Sequence, residues 1–274
     1  MKSRLQDFLK EDIGSRDITS ELVVPLQKTA RGRIICKEKC VLAGIAEATE
    51  VFKELGAATV RSRKDGTKAR KGTVVLEVGG SARAILAGER LALNFLMRMS
   101  GIATLTDRMV ASCRKINPKV KIAATRKTTP GFREFEKKAV LIGGGDPHRY
   151  ALDEAVLIKD NHIRIAGSVE EALKRARRGS FAQKLEIEVE NARDARIALE
   201  NGADIIMLDN FEPADARRIS KELREMRPNI LIEVSGGIKP DNVRKYAAGA
   251  DIISMGCLTH SVKAIDFSLE LKET

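Results

Sequence analysis

The sequence predicts an α/β barrel preceded by a smaller region of mixed strands and helices. Two observations carry this. From about Ile102 onward, short apolar runs alternate with amphipathic helical stretches, and alternating β and α segments imply parallel strands joined by helical crossovers. About six such units fit an α/β barrel with fewer than eight strands. The chain of 274 residues has room for one barrel-sized domain and a smaller partner, which sets expected domains of 1–101 and 102–274.

In the first region, Thr29 to Leu42 is strand-like around Arg33-Ile34-Ile35. Ile45 to Leu55 reads as a helix that stops at Gly56, a residue suited to the position just past a helix end. Asp65-Gly66 is a turn signal. Thr73 to Val78 reads as a strand stopped by Gly79-Gly80, and Ala82 to Met99 as a long helix with Leu86, Leu93, Leu96 and Met97 on its apolar side. In the second region the apolar runs are 121–125, 155–158, 185–189, 204–208, 230–234 and 251–255. Helical stretches lie at Val169 to Arg178, Ala192 to Glu200, Pro213 to Met226 and Asp241 to Ala248.

Composition excludes several classes. The N-terminus has no apolar signal-peptide core, and no uncharged run approaches the length of a membrane span. The expected location is therefore the cytoplasm, with no membrane partner. The four cysteines, Cys36, Cys40, Cys113 and Cys257, form no zinc-ligand pattern and read as small buried apolar residues. The net charge of +11 points to polyanions, either nucleic acid or phosphorylated small molecules. Without Trp, and with only two Tyr, the chain lacks the aromatics that nucleic-acid binders interleave with basic residues.

Barrel chemistry sits where strands end. The residues after the six runs are Arg126-Lys127, Lys159-Asp160-Asn161-His162, Glu188 with Glu190, Asp209-Asn210, Ser235-Gly236-Gly237, and Gly256-Cys257. Glycines after the last two strands suit a phosphate approached by backbone N–H groups. Gly143-Gly144-Gly145 has no following Lys-Ser/Thr, so it is not a Walker loop; it reads as a flexible turn presenting His148 and Arg149. Arg126, Lys127, Arg149 and Lys159 would repel one another by about 2–3 kcal/mol per pair in an empty dry site. A multiply charged anion, such as a dicarboxylate beside a pyrophosphate, would make such a cluster useful. His162 and His260 are open to either a structural or a chemical role. Nothing nearby in sequence activates Cys257, which favours a backbone role at that position.

The ordered series Thr125-Arg126-Lys127-Thr128-Thr129-Pro130-Gly131, Lys137-Lys138-Ala139-Val140, Gly143-Gly144-Gly145, His148-Arg149 and Leu157-Ile158-Lys159-Asp160-Asn161-His162 closely resembles the quinolinate phosphoribosyltransferases, the carboxylating nicotinate-nucleotide pyrophosphorylases. Leu208-Asp209-Asn210, Ser235-Gly236-Gly237 and Leu258-Thr259-His260-Ser261 continue the match. Glu89-Arg90, Leu93-Asn94 and Ser100 to Thr104 extend it into the first region. In the opening motif, Glu11 to Thr19, Arg16 stands where a glycine is usual.

The resemblance implies an N-terminal α/β sandwich, joined by the C-terminal helix, and an incomplete barrel. It implies that quinolinate and phosphoribosyl pyrophosphate are the substrates. Thr125, Arg126, Lys127, His148, Arg149 and Lys159 would form the quinolinate pocket, with Arg90 supplied by a neighbouring subunit of a homodimer or higher oligomer. Glu188 and Asp209 would face the ribose and a Mg2+ carried by the pyrophosphate, with Lys127, Glu188 and Asp209 as the catalytic set. Ser235, Gly236, Gly237, Gly256, Cys257 and Leu258 would surround the phosphates. No organic cofactor is expected. The alternatives are a phosphoribosyltransferase for nicotinate or another ring acid, a basic nucleic-acid-binding protein, and an inactive barrel kept for assembly. The last is disfavoured because every expected charged position is filled.

Overall fold

The computed structural model describes residues 2–179 and 182–273. The chain divides into two compact units, Met1–Leu105 with Val262–Thr274, and Thr106–Ser261.

The first unit contains α1 (Lys2–Ile13), α2 (Ile18–Val23), β1 (Thr29–Cys36), β2 (Cys40–Val41), α3 (Ile45–Glu54), β3 (Ala58–Ser62), β4 (Lys68–Ala69) and β5 (Val74–Ser81). It also holds most of α4 (Ala82–Arg114) and the C-terminal strand β12 (Phe267–Glu273). Its sheet runs β12-β1-β5-β3, entirely antiparallel, with β2 and β4 as a separate pair. Alternation along β1 buries Ala30, Gly32, Ile34 and Cys36, the period of two that lays one face against a core. Gly32 lets α4 come close, since a Cβ there would stand 3.2 Å from Ile85 and Val78. Phe8 of α1 meets Phe95 of α4 edge-on, with ring centroids 5.7 Å apart. The result is the expected α/β sandwich.

Several expectations change. The C-terminal segment is a strand, not a helix: Phe267–Glu273 pairs antiparallel with β1 over its whole length. Strand β5 runs through Gly79 and Gly80 instead of stopping at them. Helix α4 is continuous over 33 residues through the expected division at residue 101, and the two compact units part within it at Leu105. Gly101 is needed there for proximity, because a Cβ would lie 2.4 Å from the Lys263 carbonyl oxygen of the returning chain. Arg16 does not force the left-handed backbone that a glycine would tolerate. It lies between α1 and α2, outside the positive-φ residues, with its guanidinium 3.6 Å from Glu21. Cys36, Cys40 and Cys113 are buried, and Cys257 is half-buried.

The second unit contains β6 (Lys121–Ala123), α5 (Arg133–Ile142), β7 (Val156–Ile158), α6 (Asp160–Ala166), α7 (Val169–Ala176), β8 (Leu185–Val189), α8 (Ala192–Glu200), β9 (Ile205–Asp209), α9 (Pro213–Met226), β10 (Leu231–Ser235), α10 (Val243–Tyr246), β11 (Ile252–Ser254) and α11 (Cys257–His260). The six strands form one parallel sheet in the order β6-β11-β10-β9-β8-β7. In a closed barrel β6 would also meet β7. Here those two are the sheet edges, so the barrel is incomplete. Helices α7 and α8 begin at Ser168 and Asn191, whose side chains accept from the amides of Glu171 and Asp194 and so satisfy otherwise orphaned helix N–H groups. Among the described residues, no helix is long and apolar enough to cross a membrane.

The glycine triplet is not a loose turn. Gly145 lies so close to β6 that a Cβ would sit 2.9 Å from the Ile122 carbonyl oxygen and 2.7 Å from Thr106. The next residue, Asp146, makes a parallel bridge to Ala123, so the insertion occupies the edge of β6 that a closing strand would take.

Gly101→Ala should cost about 1–3 kcal/mol, the range for overpacking a filled core, because neither α4 nor the Lys263 carbonyl can withdraw freely. Urea denaturation checks this; an unchanged midpoint would mean the two segments do not approach as described.

Candidate active site

Strand register brings the chemistry together. Ser235 pairs with Asp209 across β10 and β9, and Glu188 pairs with Met207 across β8 and β9. Because side chains alternate along a strand, Glu186 and Glu188 share a face, as do Glu233 and Ser235. That face lines a cavity of about 390 Å³ bounded by Ala124, Thr125, Arg126, Lys127, His148, Arg149, Leu157, Lys159, Glu188, Met207, Asp209, Glu233, Ser235 and Ser254.

Of the residues named from sequence, the cavity gathers Thr125, Arg126, Lys127, His148, Arg149, Lys159, Glu188, Asp209 and Ser235. Gly256 stands at its edge, since a Cβ there would be 3.2 Å from the Lys127 side chain. Gly236 and Gly237, both left-handed, form the turn directly after Ser235. Cys257 turns its thiol toward the Ile238 carbonyl, 3.6 Å away. Leu258 is fully buried and its N–H bonds to the Met255 carbonyl at 3.3 Å, so its side chain does not reach the cavity. Arg90 is exposed on α4 in the first unit. His162 has a structural part: its Nδ1 accepts from the Lys159 amide at 2.9 Å, fixing the start of α6.

Cations come from β6, the insertion and β7; carboxylates come from β8, β9 and β10. The Lys159 ammonium makes a short contact to Glu188 Oε2. Burial pushes the Asp209 pKa up, and the nearby Glu188 charge adds to it. Burial also lowers the Arg149 pKa, helped by the charge of Arg126. The cavity thus confines like charges in pairs, a state that an oppositely charged ligand relieves. Glu188 and Asp209 are hard oxygen donors on adjacent strands, a donor set suited to Mg2+.

Beneath the rim lies an acidic floor that strand-end reading missed. Glu186 and Glu233 are buried, and His148 Nε2 lies 3.7 Å from one and 3.5 Å from the other. Ser254 donates to Glu233 Oε1 at 2.6 Å. Burial works to lower the His148 pKa, but hydrogen bonds and charge from the two glutamates raise it to about 10. Burial and the Glu233 charge in turn raise the Glu186 pKa. The three donor atoms lie within 4.8 Å of one another, close enough for a metal ion. However, the two glutamates facing His148 Nε2 favour a proton on that nitrogen, where a metal would have to bind. The cluster is therefore an internal acid–histidine contact rather than a metal centre. A signal for it was present in sequence: each glutamate stands two residues before a rim residue, the same-face spacing of a strand.

An open parallel α/β barrel with cations, carboxylates and glycine turns at its strand ends defines an enzyme for phosphorylated, anionic substrates. Comparison with known proteins narrows this. The profile of the quinolinate phosphoribosyl transferase C-terminal domain matches residues 102–270, and that of the N-terminal domain matches residues 17–100. The chain belongs to the quinolinate phosphoribosyltransferase family. A probable carboxylating nicotinate-nucleotide pyrophosphorylase of Archaeoglobus fulgidus is 51% identical over 247 residues, covering 89% of this chain and 95% of the relative. Its counterpart in Methanothermobacter thermautotrophicus is 45% identical over 276 residues, 99% of each. The crystal structure of NadC from Streptococcus pyogenes superposes with a TM-score of 0.93 at 36% identity, covering 100% of this chain and 96% of that one.

Ser254→Ala should cost about 1–3 kcal/mol, the penalty for depriving a buried acceptor of its donor, because Glu233 has no solvent to turn to. Chemical denaturation measures it; a loss of only a few tenths would remove the Ser254 contact from the buried network.

Proposed function

We propose that the strand-end cavity binds quinolinate on its cationic side and phosphoribosyl pyrophosphate along β8 to β11. The activity is phosphoribosyl transfer with decarboxylation, giving nicotinate mononucleotide, pyrophosphate and CO2 for NAD synthesis. Nothing favours the nicotinate, nucleic-acid or inactive-barrel readings. The observation that carries the assignment of sides is the separation of charge by strand: Arg126, Lys127, His148 and Arg149 come from β6 and the insertion, whereas Glu188 and Asp209 come from β8 and β9.

The chemistry follows from that separation. The two quinolinate carboxylates pair with Arg126, Lys127 and Arg149, and Thr125 offers a hydroxyl. As pyrophosphate leaves the anomeric carbon, the ribose gains oxocarbenium character. Glu188 and Asp209 stabilise that developing positive charge. The pyridine nitrogen then bonds to the anomeric carbon and becomes cationic. When the adjacent carboxylate departs as CO2, the bonding pair stays on the ring carbon, stabilised by the neighbouring cationic nitrogen, and then takes up a proton. Mg2+, held through the pyrophosphate near Glu188 and Asp209, would neutralise the leaving charge. The backbone at Ser235, Gly236, Gly237, Gly256 and Cys257 surrounds the phosphates. Leu258, whose N–H and side chain are engaged elsewhere, contributes by holding the turn.

We further propose a homodimer or higher oligomer in which the exposed Arg90 reaches a neighbouring subunit's cavity, and a cytoplasmic location, where the phosphorylated substrates are found. Arg90→Ala should abolish activity without dissociating the oligomer. Mixing it with Lys127→Ala subunits should restore part of the activity, since some mixed sites carry both native groups. Absence of rescue after confirmed subunit exchange would end the shared-site reading.

A coupled assay for CO2 and nicotinate mononucleotide tests the reaction. Turnover should require quinolinate, phosphoribosyl pyrophosphate and Mg2+ together; turnover of nicotinate in place of quinolinate would overturn the assignment.

Kinetics separate the two sides of the site. Lys127→Ala should raise the quinolinate KM as well as lower kcat, because its contact exists before reaction. Glu188→Gln keeps a partner for Lys159 but removes the charge that meets the oxocarbenium. It should lower kcat by about 10²-fold or more with little change in quinolinate KM. A near-native kcat in the folded variant would remove Glu188 from the mechanism.

A further inference from the structure

An ammonium group removed from water needs acceptors for its protons, and lysine is seldom fully buried without them. Lys137 lies in the middle of α5 with none of its surface exposed. Its Nζ donates to three consecutive backbone carbonyls: a short contact to Pro147, 3.4 Å to His148 and 2.7 Å to Arg149. The Tyr150 ring stands 5.1 Å from the same nitrogen. Burial, reinforced by the charge of Arg133, lowers its pKa to about 8. Lys137 is not among the cavity-lining residues, so it carries a charge into the protein interior without meeting a ligand.

The segment it gathers is itself unusual. His148 has φ 53°, a left-handed conformation that a residue with a Cβ adopts only when its surroundings impose it. On one side of this turn the carbonyls of 147–149 converge on Lys137. On the other, the side chains of His148 and Arg149 enter the cavity. Asp146 holds the turn from before, accepting the His148 N–H at 2.8 Å.

We propose that Lys137 is a positioning residue for the ring-acid half of the site: its ammonium binds the 147–149 carbonyls, holds His148 in the left-handed turn and thereby aims His148 and Arg149 at the substrate carboxylates. This rests on the reading of those two residues as quinolinate contacts. The charge and the N–H groups matter, not the bulk, because three carbonyl oxygens lose their shared donor if only volume is kept. The phosphoribosyl half takes its rim groups from β8 to β11, and this turn meets those strands only below the rim, through the His148 contacts to Glu186 and Glu233.

The decisive variant is Lys137→Met, which preserves length and removes the donors. Binding of each substrate alone should split: quinolinate affinity falls by about 10- to 100-fold, the cost of misplacing a contact by an ångström or less, while phosphoribosyl pyrophosphate affinity stays at the native value. Lys137→Ala should regain quinolinate binding when ethylammonium is added, and not when tetramethylammonium, which has no N–H, is added. Should Lys137→Met fail to fold, Lys137→Gln, which keeps two N–H donors, gives the same comparison with a smaller loss. A crystal structure of the folded variant supplies an arm that needs no substrate: His148 should leave the left-handed region. Equal losses for both substrates, native quinolinate affinity, or an unchanged 146–150 backbone would each overturn the role of Lys137. If the native protein binds no quinolinate at all, the substrate assignment fails, and the backbone of the variant still decides the role of Lys137.

Discussion

The Asp146 amide donates to the Ile122 carbonyl at 2.8 Å, and the Ala124 amide donates to the Asp146 carbonyl at 2.9 Å. These two bonds take up the edge of β6 that an open barrel leaves unpaired, and unpaired sheet edges are exposed to misassociation. They also set everything that follows in the chain. Gly145 must lack a side chain to let the segment reach the strand, and His148 follows three residues later. A cation-bearing turn is thereby fixed to a rigid strand, where a free loop would leave its side chains imprecisely placed.

Charge then builds in two layers. The rim carries Arg126, Lys127, Arg149 and Lys159 against Glu188 and Asp209, partly open to solvent. Below it, Glu186 and Glu233 are nearly or wholly inaccessible. A buried carboxylate is stable only with a counter-charge or donors, and here His148 faces both acids and Ser254 serves one. The floor therefore anchors the imidazole from below while Lys137 anchors its backbone from the side. Glu186, Glu233 and Lys137 thus find donors or carbonyl dipoles around His148 and Arg149, whereas buried Glu136 is satisfied apart from them, by the amide and hydroxyl of Thr129.

Much of this was legible in the sequence. Strand β8 and helices α8 and α9 fall where the alternation of apolar runs and amphipathic stretches puts them, and Glu188, Asp209 and Ser235 sit at the strand ends because parallel βα units leave little choice. What was hidden is non-local. Phe267 to Glu273 alternates apolar and polar residues, yet its partner is β1, more than 200 residues earlier, and no local rule announces that pairing. Glu186 and Glu233 looked like polar interruptions in apolar strands. Only His148 of the insertion and Ser254 of β11, packed against them, make their shared face an interior. Lys137 sits in a run with Lys138, and a helical lysine pair reads as solvated surface until the insertion folds over one of the two.

The glycines after β10 show how a ligand argument and a packing argument can share one residue. Gly236 suits a phosphate because the backbone can approach it closely, as expected from its place at a strand end. The structure adds a second demand. Asn210, directly after Asp209, has φ 57° and donates its amide to the Ser235 carbonyl at 3.0 Å. A Cβ on Gly236 would stand 2.3 Å from the Asn210 side-chain oxygen and 2.6 Å from its amide nitrogen. The two strand-end turns are thus fitted against each other before any ligand arrives. Asn210 Nδ2 also donates to Asp209 Oδ2 at 2.6 Å, so the same asparagine that requires the glycine orients the carboxylate. The Ser235–Gly236 backbone and the Asp209 carboxylate are therefore set by one contact, and a change at Gly236 would displace Asp209 even if no phosphate ever touched the loop.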